Sequence, residues 1–161
     1  ASEKIAKFSA NEENNEIRMA KKILSINKKL FIPDQLICAK SLDDEPELLH
    51  ASQINQKDVI YYIGPNSLMD ISNMILSSDK IIWNGPPGVY EINKFQNGTN
   101  KIIKSIINSE AKIKVAGGGS TVAAINYFDS SEYFSHISTG GGAFLSLLEG
   151  KFLQGIEVLK V

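Results

Sequence analysis

Apolar positions along this chain recur with two different periods, and the changes between them divide it into alternating helical and extended segments. In residues 12–29, continued by Leu30, the apolar residues Ile17, Ala20, Ile23 and Leu24 fall at helical spacing. Glu12, Glu13 and Glu16 occupy the early turns and Lys28 and Lys29 the last, which complements a helix dipole. Pro33 closes that unit, residues 36–40 read as a short strand, and the acidic, proline-broken stretch 41–56 reads as a surface loop with a helical turn. Residues 59–63 form a compact β-branched and aromatic run, stopped by Gly64-Pro65 at the entrance to a helix over 67–76. A strand at 80–83, a helix at 95–109 and a strand at 112–116 follow, then a helix through Val122 to Ile125. A short strand at 136–138 and a helix at 143–149 complete the order. Repeated strand–helix units predict an α/β domain, Rossmann-like and three-layered, on a mostly parallel sheet.

Composition narrows what such a domain does. With 161 residues, 43% hydrophobic and 22% charged, the chain fits one globular domain or a domain cut from a longer protein. Seventeen basic residues against eighteen acidic ones, with Arg18 the only arginine, argue against nucleic-acid binding, which needs a concentrated positive footprint. No apolar run is long enough for a membrane span, so the expectation is a soluble, cytoplasmic protein. One cysteine, Cys38, excludes an intrachain disulfide and any Cys/His zinc spacing; its place in a strand makes it a small core residue.

Three glycine-rich breaks carry the chemistry: Asn84 to Gly88, Gly117 to Thr121 and Thr139 to Gly142. Each falls where a predicted strand ends. Strand C-termini of a parallel sheet gather on one edge, and the crevice there is where α/β folds bind ligands. The two later breaks also open helices, whose first N–H groups are unsatisfied and whose dipole favours an anion, so each is a candidate phosphate cradle. Ser120 and Thr121 are placed to cap their helix or to donate to a phosphate oxygen. A single such turn more often only reverses the chain; three converging on one edge favour a site. Neither GxxxxGK[ST] nor GxGxxG is present. Of the remaining polar residues, His50 reads as solvated, His136 stands where it could bond the adjacent loop, Trp83 reads as core, and Glu91 faces the crevice edge.

The strings Ile82-Trp83-Asn84-Gly85-Pro86-Pro87-Gly88-Val89-Tyr90-Glu91, Ala116-Gly117-Gly118-Gly119-Ser120-Thr121-Val122-Ala123-Ala124, His136-Ile137-Ser138-Thr139-Gly140-Gly141-Gly142-Ala143 and Leu148-Glu149-Gly150-Lys151-Phe152-Leu153-Gln154-Gly155 resemble, in order, the motifs of the phosphoglycerate kinase family. The resemblance is clear over residues 59–155 and looser over 12–40, and it assigns nothing to 1–11. It implies that residues 1–161 are most of the family's C-terminal, nucleotide-binding domain, with the basic N-terminal domain that holds 3-phosphoglycerate absent from the chain. The implied reaction is reversible phosphoryl transfer between ATP and 3-phosphoglycerate, with Mg2+ accompanying ATP or ADP, in a monomer. It further implies that Gly118, Gly119, Ser120 and Thr121 surround the nucleotide's β- and γ-phosphates, that Glu91 bonds the ribose, and that Asn84, Gly85 and Val89 line the cleft. The catalytic group would be Gly119 with Gly140, Gly141 and Gly142, offering N–H donors to the phosphoryl group in flight, while Ser138 and Thr139 sit where the family bends its hinge.

Two positions depart from the family pattern. Ser120 stands where the family has an aspartate approaching the magnesium, which leaves no protein metal ligand at this place and weakens the hard-cation site. Tyr62 stands where an aspartate often precedes the Ile-Gly-Pro turn, which would alter the rim of the nucleotide pocket. Two alternatives therefore stand beside the kinase: a nucleotide-binding module with reduced or no activity, and a purely structural α/β domain.

Overall fold

A computed structural model describes residues 15–26, 29–153, 155 and 158. Glu12, Glu13, Lys28 and Gln154, to which the sequence pattern gave places, lie outside the described residues, as do residues 1–11.

The first element, helix α1, spans Asn15–Ile26 and stops short of Lys29, so no basic residue occupies its last turn. Met19, Ile23, Leu24 and Ile26 on this helix are exposed, and Ile17 is half-buried. Strands β1 (Gln35–Ala39), β2 (Glu47–His50) and β3 (Val59–Ile63) then form an antiparallel sheet in the order β2-β1-β3. Strand β2 departs from the loop expected over residues 41–56; the expected helical turn is the 3-10 turn Ala51–Gln53 that follows it. Its short Glu-Leu-Leu-His segment carries no alternation to announce a strand, and what holds it is the β1 ladder, pairing Leu49 with Leu36 and Leu48 with Ile37.

Helix α2 (Pro65–Leu76) leads into β4 (Lys80–Asn84), then α3 (Asn97–Asn108), β5 (Ile113–Gly117), α4 (Gly119–Tyr127), β6 (His136–Ser138) and α5 (Gly141–Leu148). Strands β4, β5 and β6 make a parallel sheet in chain order, joined by helical crossovers. The α/β class predicted by the pattern is therefore present, but the strands divide between two three-stranded sheets rather than joining one, and β1 and β3 run antiparallel. Local periodicity specifies a strand and does not specify its partner.

Alternation along β4 buries Ile81 and Trp83 while Lys80, Ile82 and Asn84 are exposed. The buried pair packs into the main core with Leu68 of α2, Ile102, Ile103 and Ile106 of α3 and Ala124 and Ile125 of α4. Fully burying one such aliphatic side chain is worth about 1.5–3 kcal/mol. A smaller core unites Ala39, Tyr61 and Phe95, the two rings stacked at 4.1 Å between centroids. The segment after β4 bridges the two sheets: Gly88 pairs with Tyr62, and the Val89 amide donates to the Tyr61 carbonyl at 2.9 Å. Cys38 is buried in β1, as its placement in a strand predicts, and Burial, followed by the charges of Asp58 and Glu47, pushes its thiol above the usual value. Among the described residues, no helix is long and apolar enough to cross a membrane.

Candidate functional site at the carboxyl edge of the parallel sheet

Register places the three strand ends side by side. Asn84 pairs with Gly117, and Gly117 pairs with Ser138, so the three glycine-rich breaks leave one edge of the sheet together. Three hydrogen bonds fix their mutual positions, and a fourth holds the first break to its own strand. The Asn84 side-chain amide donates to the Gly117 carbonyl at 2.8 Å. The Gly85 amide donates to the Thr121 hydroxyl oxygen at 2.7 Å. The Gly118 amide donates to the Ser138 carbonyl at 3.2 Å. The Trp83 indole N–H, on a side chain otherwise in the core, donates to the Gly85 carbonyl at 2.9 Å.

Glycine is required here for two different reasons. Gly118 has φ +96°, a backbone region closed to most side chains, and it caps α4 there. Gly141 opens α5 so close to that cap that a Cβ on it would lie 2.9 Å from the Gly118 Cα. Gly119 and Gly142, in contrast, face open space.

Neither helix start is capped by a side chain. This corrects one expectation: Ser120 and Thr121 do not cap α4, because Gly118 is the cap and the Thr121 hydroxyl, fully buried, is turned to Gly85 instead. The first intrahelical bond of α4 is Val122 N–H to the Gly118 carbonyl at 3.0 Å, and that of α5 is Phe144 N–H to the Gly140 carbonyl at 2.9 Å. The amides of Gly119, Ser120 and Thr121 and of Gly141, Gly142 and Ala143 thus precede the helical ladders, and Gly141 N–H is held by the Thr139 carbonyl at 3.2 Å. Gly119, Ser120, Gly140 and Gly142 are exposed. Chemically, this edge presents two adjacent positive helix ends with close backbone approach, suited to a polyanion such as a phosphate chain.

The remaining candidates are held elsewhere. Val89 and Glu91 are tied to the antiparallel sheet through the Val89–Tyr61 bond, and the exposed Glu91 carboxylate accepts the Tyr90 amide at 3.0 Å. Burial, then the Glu91 charge and a hydrogen bond to that carboxylate, push the Tyr90 phenol above its ordinary value. His136 is exposed, and among the described residues no hydrogen bond joins its ring to the glycine loop. His50 is exposed as well, its ring within 2.7 Å of the Ser52 hydroxyl. Tyr62 lines a cleft between α2 and α3. Phe144 was not among the predicted site residues and Gly117 was given no role beyond heading its break, yet a Cβ on Gly117 would collide with the Phe144 ring. Only the position of Gly117 at the head of its triplet could have signalled this.

Donor chemistry separates nucleotide from metal. The edge fits phosphate oxygens, whereas among the described residues no group of three His, Cys, Asp or Glu side chains is placed to hold a metal ion, and position 120 offers a hydroxyl. A magnesium ion here would be carried chiefly by the phosphates.

An α/β domain with glycine-lined, paired helix starts at the carboxyl edge of a parallel sheet has the layout in which open α/β folds take their ligands. Comparison with known proteins specifies the family. The sequence profile described as phosphoglycerate kinase matches residues 2–151. The phosphoglycerate kinase of Vibrio campbellii (strain ATCC BAA-1116) is 39% identical over 146 residues, covering 89% of this chain and 37% of that protein. That of Baumannia cicadellinicola subsp. Homalodisca coagulata is 37% identical over 147 residues, covering 91% of this chain and 38% of that protein. Among solved structures, phosphoglycerate kinase from Coxiella burnetii superposes with a TM-score of 0.77 at 32% identity, covering 86% of this chain and 38% of that one. The enzyme from Pyrococcus horikoshii OT3 gives 0.71 at 27% identity, covering 97% and 42%. The chain belongs to the phosphoglycerate kinase family, and it spans less than two fifths of the length of the curated relatives it matches.

Proposed function

We propose that this chain supplies the nucleotide half of a phosphoglycerate kinase, a cytoplasmic, monomeric enzyme of glycolysis that transfers a phosphoryl group reversibly between ATP and 3-phosphoglycerate, giving ADP and 1,3-bisphosphoglycerate. The observation that carries this reading is the bonded cluster of strand ends, Asn84 to Gly117, Gly85 to Thr121 and Gly118 to Ser138, which fixes two uncapped helix starts beside each other. In this reading Gly118, Gly119, Ser120 and Thr121 surround the β- and γ-phosphates, Asn84, Gly85 and Val89 line the cleft, and Glu91 holds the ribose. Thr121 takes part by fixing Gly85.

Phosphoryl transfer requires alignment and neutralisation of spreading negative charge more than covalent chemistry. Gly119, Gly140 and Gly142 offer main-chain N–H donors to that charge, while the Gly141 N–H is held by the Thr139 carbonyl; such preorganised donors cost no reorganisation during reaction. Magnesium, brought with ATP or ADP, would neutralise phosphate charge. The 3-phosphoglycerate would be held by a domain outside residues 1–161.

A second reading, a nucleotide-binding module with reduced or no turnover, is favoured by Ser120, whose neutral hydroxyl is a poorer partner for a hard cation than the carboxylate of the family pattern. Calorimetric titration of ADP, with and without magnesium and repeated on Glu91→Ala, tests the nucleotide assignment: saturable binding weakened by the substitution supports it, and no binding to folded protein contradicts it. Coupled assay of the full-length protein with ATP and 3-phosphoglycerate then separates the kinase from the silent module.

A further inference from the structure

A cleft of about 350 Å³ lies between the first turns of α2 and α3, and its Tyr62 is paired with Gly88. Its walls are divided by chemistry. Tyr62, Pro65 and Leu68 give it an apolar side, and Asn97, Asn100, Lys101 and Lys104 give it a polar one. The four polar residues stand at i, i+3, i+4 and i+7 on α3, the spacing of one helix face. Among the described residues, none of these four side chains has a hydrogen bond or ion pair with another protein group, and no carboxylate lines the cleft. The volume is that of a small-molecule site.

Two cations one helical turn apart repel each other and stay solvated unless an anion comes between them. The neighbouring amides of Asn97 and Asn100 add neutral donors and acceptors, and the start of α3, with no side-chain cap, adds the positive end of a helix. Opposite them, the Tyr62 ring and the Leu68 side chain offer apolar surface. Tyr62 matters doubly: a carboxylate at this position, as in the pattern its motif resembles, would put a negative charge at the floor of the cleft and cancel part of the lysine field.

We infer that this cleft is a second ligand site, which takes a small organic anion with its phosphate or carboxylate between Lys101 and Lys104 and its apolar body against Tyr62 and Leu68. The site does not rest on the nucleotide reading, to which none of its polar residues is assigned.

The test is an NMR titration of the full-length protein with phenyl phosphate, which couples an aromatic ring to a phosphate, alongside inorganic phosphate. Saturable shifts at the amides of Asn97, Asn100, Lys101 and Lys104 are expected, with phenyl phosphate binding more tightly than inorganic phosphate. Lys101→Gln with Lys104→Gln should weaken phenyl phosphate about tenfold or more, the loss of two charge-assisted contacts, while leaving ADP affinity unchanged. If that double variant does not fold, Asn100→Asp, which sets a negative charge in the cleft, is read in its place and should have the same effect. Shifts confined to Gly118 and Gly119, affinity unaltered by these substitutions, or no saturable binding would each overturn the assignment. Loss of ADP binding with retained phenyl phosphate binding would contradict the nucleotide reading and leave this one standing.

Discussion

The hydroxyl oxygen of Thr121 accepts the main-chain N–H of Gly85 at 2.7 Å, across 36 positions of sequence, and the threonine is fully buried. The bond ties the loop after β4 to the first turn of α4, so the two sides of the crevice hold one geometry before any ligand arrives. Replacing Thr121 by valine keeps the shape and removes the acceptor, stranding a half-buried N–H. That costs about 1–3 kcal/mol, read as a lower urea midpoint with unchanged slope, and ADP affinity should fall with it. Thr121→Ser, which keeps the hydroxyl, should lose less. A valine variant as stable as the parent would show that the bond contributes nothing.

The glycines of the site divide into those that need to be glycine for packing and those that do not. Gly141→Ala sets a methyl 2.9 Å from the Gly118 Cα and should destabilise the protein by about 1–3 kcal/mol as α5 is pushed from α4. Gly142→Ala meets nothing within 4 Å and sits in the first turn of α5, where alanine is favoured by at most about 1 kcal/mol. Thermal melts of the two variants should therefore shift in opposite directions, and equal shifts would refute the packing difference.

Ser120→Asp changes two things at once. A carboxylate in the first turn of α4 interacts favourably with the helix dipole and should add about 0.3–1 kcal/mol of stability at low ionic strength. It also gives a magnesium ion at the nucleotide an anionic oxygen. ADP titrations with and without magnesium should diverge more for the variant than for the parent; identical magnesium dependence would mean that position 120 does not face the metal.

Much of this site is written locally in the chain. Short apolar runs followed by glycine-rich breaks predict strands ending at Trp83, Ala116 and Ser138; the structure carries the first two one residue further, to Asn84 and Gly117, and aligns all three ends. What local pattern does not carry is partnership. Strand β2 exists because β1 pairs with it, and the division into two sheets follows from which edges meet, neither of which has a periodic signature. The Thr121 hydroxyl reads equally well as a cap, a phosphate donor or a tether, and only the proximity of Gly85 decides among them. Helix α1 shows the same limit: its amphipathic spacing predicts the helix, yet Met19, Ile23, Leu24 and Ile26 are exposed.

Alkaline pH should destabilise the protein. Cys38, Tyr61 and Tyr90 all have folded-state values raised above the usual 9.0 for the thiol and 10.0 for the phenols, with burial the largest cause in each. The folded state therefore holds these protons more tightly than the unfolded state, so the stabilisation is complete below the unfolded values and is lost as pH rises through the folded ones. Urea midpoints should begin to fall as pH rises through the unfolded values, 9.0 for the thiol and 10.0 for the phenols, and Cys38→Ala should remove the earliest part of that fall. A pH-independent midpoint would contradict the burial of these groups.

If the carboxyl edge of the parallel sheet binds nucleotide phosphates, as proposed, main-chain donors make the contact. Amide chemical shifts during an ADP titration test it most directly, since they report on the donors themselves. Saturable, concerted shifts are expected at Gly119, Ser120 and Gly142 and at the neighbouring, internally bonded amides of Gly85, Gly118 and Gly141, with Thr121→Val weakening them together. Binding that leaves these amides unmoved, or no binding to folded full-length protein, would contradict it.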